Sequence, residues 1–142
     1  MYIYNLFNFI LKRNEIIMKT KLTLSIIGII NILQALGYTI FAETASSIMF
    51  NAGDEAQQLA VLFQYAITPA FLMIGLMQFL SRNFPIQDAK NILLAVIIAY
   101  LPLFFAFYTM MNSPLTNMGI EDFAIDIVMF SLVVFTYFKP KE

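Results

Sequence analysis

The chain has 142 residues, 61% of them apolar and 12% charged, with a net charge of −1, whereas a soluble domain carries roughly 25% charged residues. It contains no cysteine and no histidine, which removes disulfides, thiolate-held clusters and the usual ligands of zinc, copper and haem, so no cofactor and no metal are expected. Its eight basic residues form no patch suited to nucleic acid.

Residues 1–17, MYIYNLFNFILKRNEII, precede Met18, where MKTKLTLSIIGII resembles a natural bacterial start. The extension reads either as a mis-called start or as an interfacial segment whose aromatic run ends at Lys12 and Arg13. Residues 18–142 form a single membrane domain. A cleaved signal peptide has an apolar region of roughly 7 to 15 residues, and the uncharged run from Leu22 to Ala42 is longer, so that run is read as a retained span.

Spans are expected at about 22–42, 57–80, 90–111 and 120–138. Backbone groups in hydrocarbon must be paired internally, and uninterrupted apolar runs lack the alternation of a barrel, so the spans are helices. About 20 residues at a rise of 1.5 Å cover a core of roughly 30 Å. The fourth span is short: from Phe123 to Phe138 it covers about 24 Å, so either Asp126 dips below the interface or the bilayer thins around it.

Charge orients these spans. Lys12, Arg13, Lys19 and Lys21 precede the first, Arg82 and Lys90 separate the second and third, and Lys139 and Lys141 follow the fourth. Glu43, Asp54, Glu55, Glu121, Asp122 and Asp126 lie at the opposite ends, without a Lys or Arg. The basic side therefore nets +5 (eight basic residues less Glu15, Asp88 and Glu142) and the acidic side −6. Basic loops stay in the cytoplasm, and they also meet anionic lipid there. The expected fold is an all-α, four-transmembrane-helix antiparallel bundle with both termini cytoplasmic, in the bacterial inner membrane.

Within the spans, Asn31, Gln34 and Tyr38 share one face of the first helix, and Gln64 and Thr68 share one face of the second, with Gly75 and Gln78 further along that stripe. An amide facing lipid is costly, so both faces should turn inward. Asn31, Gln34, Gln64 and Thr68 are thus candidates for a polar interior or binding face, or for interhelical hydrogen bonding alone. Pro69 and Pro102 fall inside the second and third helices and should kink them. Small residues at Ala66 and Ala70, Ala95 and Ala99, and Ser25 and Gly28 mark expected contact faces. In the NSPLTNMG loop, Pro114 stops the third helix, and Thr116 or Asn117 is expected to cap the fourth.

Glu43 and Asp126 form the candidate acidic site. First-turn carboxylates complement the helix dipole, which accounts for Glu121 and Asp122. Asp126, a turn deeper, is an intramembrane carboxylate of the kind that marks functional sites, and Glu43 is its expected partner. The alternative is a structural carboxyl.

The stretch LMIGLMQFLSRN followed by a short loop and DAKNILLA, with Gly75, Arg82 and Lys90 in place, resembles a group of small bacterial four-helix membrane proteins, loosely DoxX-like. The resemblance implies a four-helix fold in a bacterial inner membrane and no particular activity. Three functions follow from the residues: an accessory or interaction protein that pairs with itself or with a membrane-protein partner; a small carrier or channel lined by the polar face of the first two helices; and a lipid enzyme using Glu43 and Asp126.

Overall fold

A computed structural model describes the backbone over residues 2–138 and the side chains over residues 20–138. The reading of residues 1–17 as an interfacial segment, and the charges of Lys139 and Lys141, lie outside the described side chains.

The described regular structure is helical: α1 Tyr2–Ile40, α2 Ala42–Met49, α3 Asp54–Leu80, α4 Ile86–Met111 and α5 Ala124–Phe138. Two short 3-10 turns, Ser81–Asn83 and Ile120–Phe123, precede α4 and α5. Three segments are long and apolar enough to cross a membrane: Thr20–Ile40, Asp54–Asn83 and Ile86–Met111. They coincide with the first three expected spans. The last helix has 15 residues, about 22 Å of rise, because the turn Ile120–Phe123 takes the residues that would have lengthened it.

Helix directions follow from the pairings across each interface. Gly28 lies against Phe79, Ile32 against Gly75, and Tyr38 against Phe71, so α1 and α3 are antiparallel. Phe104 meets Phe130 while Phe107 stacks on Phe123 at 3.9 Å, so α4 and α5 are antiparallel too. On α1, Thr23 hydrogen-bonds Thr136 of α5 at 2.7 Å. The buried core gathers Leu24 and Ile27 of α1, Ala89, Leu93 and Tyr100 of α4, and Met129 and Val133 of α5. In lipid such a core is held by close packing and dispersion, since the surrounding chains are as apolar as the side chains themselves.

Exposed apolar side chains ring the molecule: Leu33 on α1, Leu62 and Met73 on α3, Ile98 and Leu101 on α4, and Val128 and Phe135 on α5. Ala66, Ala70, Ala95 and Ala99 also lie on that outer surface, so they are not buried between the helices of this chain. Spacing by four marks a face but does not say which way a helix apolar all round will turn. Ser25 and Gly28 behave as expected only in part: Gly28 is buried against α3, whereas the hydroxyl of Ser25 donates to the carbonyl of Lys21 on its own helix. Both proline-bearing helices remain continuous through Pro69 and Pro102.

Two features of the acidic end were not anticipated. The residues after the first span form α2, which buries Ala42 and Ser46. The loops before α3 and before α5 also meet as an isolated antiparallel bridge between Phe50 and Thr116. Asn51 N–H donates to Leu115 O, and Asn117 N–H to Met49 O, both at 2.9 Å. Asn117 adds its side-chain amide to Ile48 O at 3.3 Å, and the Thr116 hydroxyl donates to the last-turn carbonyl of Met110. Neither residue caps α5. That end is instead ordered by Asp122, whose carboxylate accepts the N–H of Gly119 at 2.7 Å.

Candidate functional site

The interface between α1 and α3 gathers most of the candidate polar residues. At its centre the two backbones touch through glycine: a Cβ on Gly28 would stand 2.7 Å from the Phe79 nitrogen, and one on Gly75 would stand 2.9 Å from the Gly28 oxygen. Only a residue without a side chain permits this approach. One turn along, Asn31 Nδ2 donates to Gln78 Oε1 at 2.8 Å and to the Ile27 carbonyl at 3.0 Å. Gln78 is only 5% exposed and Asn31 is half-buried, so the bond lies largely between the two helices. The stripe through Gln64, Thr68, Gly75 and Gln78 therefore does face inward, but its tight partner for Asn31 is Gln78.

Toward the acidic end the same interface is looser in its pairing. Gln34 and Tyr38 are half-buried. Thr68 is buried, and its hydroxyl returns to the Gln64 carbonyl at 2.7 Å, a back-bond common where a helix carries Ser or Thr. Gln64 keeps its Oε1 buried with no hydrogen-bond partner, at a cost of about 1–3 kcal/mol for a neutral group.

The two acidic candidates stand in different surroundings. Glu43, on α2, is exposed and lines an open groove of 540 Å³ with Ser46, Asp54, Gln57 and Gln58. Asp126, on the first turn of α5, is half-buried, within electrostatic reach of Tyr38 on α1 and Tyr100 on α4. The groove that Glu43 lines is formed by α2 and the first turns of α3, and Asp126 is not part of its lining. Ser46, 1% exposed with its hydroxyl 3.4 Å from the Gln57 carbonyl, fastens α2 to α3. The signal for α2 was present in AETASSIM, where Ala42 and Ser46 are one turn apart, but a stretch rich in small polar residues also reads as a loop.

Chemically, the arrangement offers an amide pair between two helices, a half-buried carboxylate at Asp126 and an open acidic groove. Among the described residues, no group of three Asp or Glu converges as a metal site would require. In comparisons with known proteins, no family model matches the chain, and neither a curated protein nor a solved structure matches it.

Proposed function

We propose that this is a small multi-pass protein of the bacterial inner membrane, a four-span antiparallel bundle with both termini cytoplasmic, and that it acts as an accessory or interaction protein. The observation that carries this reading is the Asn31–Gln78 pair beside the Gly28–Gly75 contact. It fills with packing the place where a carrier would need an aqueous passage between the first two long helices. Segregation of charge supports the orientation, and exposed Ile125, Val128 and Phe135 suit α5 to lipid. A helix of that length crosses where the bilayer thins. The same reading groups the chain with the small DoxX-like bundles.

One observation favours the carrier as a second reading: the unpartnered Gln64 Oε1 is the kind of atom that a polar solute would satisfy. A lipid enzyme needs Glu43 and Asp126 together, and the groove that Glu43 lines does not include Asp126.

Because the chain has no native cysteine, single cysteines at the exposed Ala66, Ala70, Ala95 and Ala99 provide the test. Oxidative cross-linking in native membranes should give a discrete adduct, either a dimer or a partner of defined mass, from at least one position. Monomer at every position, together with solute flux through reconstituted vesicles that Gln64→Leu abolishes, would replace the interaction reading with the carrier.

A further inference from the structure

We propose that the turn joining α3 to α4 binds the phosphate of an anionic lipid headgroup, with Arg82 as its principal ligand and Lys90 and Lys21 as supporting charges. This rests on the membrane orientation proposed above. The turn, Ser81–Asn83, ends the apolar segment Asp54–Asn83, which puts Arg82 at headgroup depth if that segment crosses. Both α1 and α4 pack against it, bringing Lys21, at the start of the described side chains, and Lys90, in the second turn of α4, to the same end.

Arg82 is held in a particular way. Its guanidinium carbon lies 3.7 Å above the centroid of the Phe79 ring, and the Phe79 backbone is itself pressed against Gly28 at the α1–α3 crossing. A guanidinium held over an aromatic face still has N–H donors to offer, arranged as a fork that fits a phosphate. No carboxylate among the described residues pairs with Arg82, Lys90 or Lys21. Asp88, the acid closest in sequence, is exposed in the first turn of α4 and makes no ion pair with any of them.

The surroundings decide between a lipid and a free anion. Met77, Leu80 and Phe84 flank the turn with exposures of 61%, 67% and 48%. A soluble phosphate has no use for that surface, whereas acyl chains below a headgroup would cover it. Charge above apolar side chains is the profile of one lipid molecule standing beside the helix end.

The chain has no tryptophan, so Leu80→Trp gives a single reporter beside the turn. The variant is reconstituted in phosphatidylcholine vesicles containing phosphatidylglycerol, with bromine on the chains of one lipid or the other. Brominated phosphatidylglycerol should quench with an apparent preference of about fivefold over brominated phosphatidylcholine, a typical gain for one basic residue near an anionic surface. Arg82→Gln should abolish most of the preference and Arg82→Lys should keep part of it. Equal quenching by the two lipids, or a preference unchanged in Arg82→Gln, would overturn the proposal. Loss of the preference on adding inorganic phosphate would overturn the lipid as ligand. If Arg82→Gln does not insert, raising salt on the parent variant replaces it: the preference should fall with screening, and a salt-independent preference is contrary. Quenching by neither lipid would mean that the α3 end is not in a bilayer, so the membrane reading would fall and this site with it.

Discussion

Asn31 and Gln78, 47 positions apart in the chain, share a hydrogen bond of 2.8 Å in the interface where Gly28 meets Gly75. Removing one amide strands the other between two helices. Asn31→Leu should therefore destabilise by about 1–2 kcal/mol, more than the average interhelical hydrogen bond of roughly 0.6 kcal/mol, because an unsatisfied amide is left behind. Asn31→Leu with Gln78→Leu should cost less than the two single changes added together. Reversible unfolding in mixed micelles, read as a double-mutant cycle, checks both statements.

Gln64 should respond in the opposite sense. Its Oε1 is buried without a partner, so Gln64→Leu removes a standing penalty and should leave stability unchanged or raise it by up to about 1 kcal/mol. A loss of more than that in the same unfolding experiment would show that the amide belongs to a satisfied network.

Two glycines make a matched pair for testing the helix crossing. Gly28→Ala places a Cβ 2.7 Å from a backbone nitrogen, which cannot move without separating α1 from α3, whereas Gly37 has nothing within 4 Å of its missing Cβ. Gly28→Ala should destabilise by about 1–3 kcal/mol, as overpacking does. Gly37→Ala should be neutral or stabilising by about 0.5–1 kcal/mol, because it relieves the helix of a flexible residue. Equal behaviour of the two variants would argue against the crossing.

The bridge at the acidic end makes orientation testable by chemistry. Asn51 N–H to Leu115 O and Asn117 N–H to Met49 O flank the Phe50–Thr116 pair. That places the two residues in the non-hydrogen-bonded position of an antiparallel ladder, where Cα atoms are about 4.5 Å apart, within the range a disulfide spans. Phe50→Cys with Thr116→Cys should oxidise spontaneously if the acidic loops face the periplasm. A single cysteine at Asn51 should react with an impermeant thiol reagent in intact cells, and one at Asn83 should not. Labelling of Asn83→Cys alone would reverse the orientation.

Asp126 is the remaining carboxylate to test, since it is half-buried in the first turn of α5. Under the interaction reading, Asp126→Asn keeps the shape, and the variant should express normally and retain the cross-linking pattern of the parent. Loss of a phenotype or transport signal at normal expression would return Asp126 to a functional role.

The long helices were legible because uninterrupted apolar runs in a chain this poor in charge leave few other solutions. The inward turn of the stripe bearing Thr68, Gly75 and Gln78 was legible for the same reason, as polar side chains identify the buried face of an otherwise apolar helix. The alanine pairs do not pack within the chain, because small size suits a contact inside the molecule and an exposed face equally. The Asn31–Gln78 pairing required the register between α1 and α3, which the backbone contact at Gly28 and Gly75 sets and which no spacing within either helix contains. The Phe50–Thr116 bridge was out of reach because two loops must be brought together by four helices before it exists.

Order of synthesis follows from where the core residues come in the chain. Gly28, Asn31, Gly75 and Gln78 are all made before α4, so the α1–α3 pair has every contact it needs while the remainder is still being translated. Leu24 and Ile27, in contrast, wait for Leu93, Met129 and Val133, and Val133 is fully enclosed although it belongs to the shortest of the four long helices. The last helix is thus the keystone: a nascent chain stopped short of it holds one finished helix pair with an open flank, a form that membrane quality control could distinguish from the completed molecule.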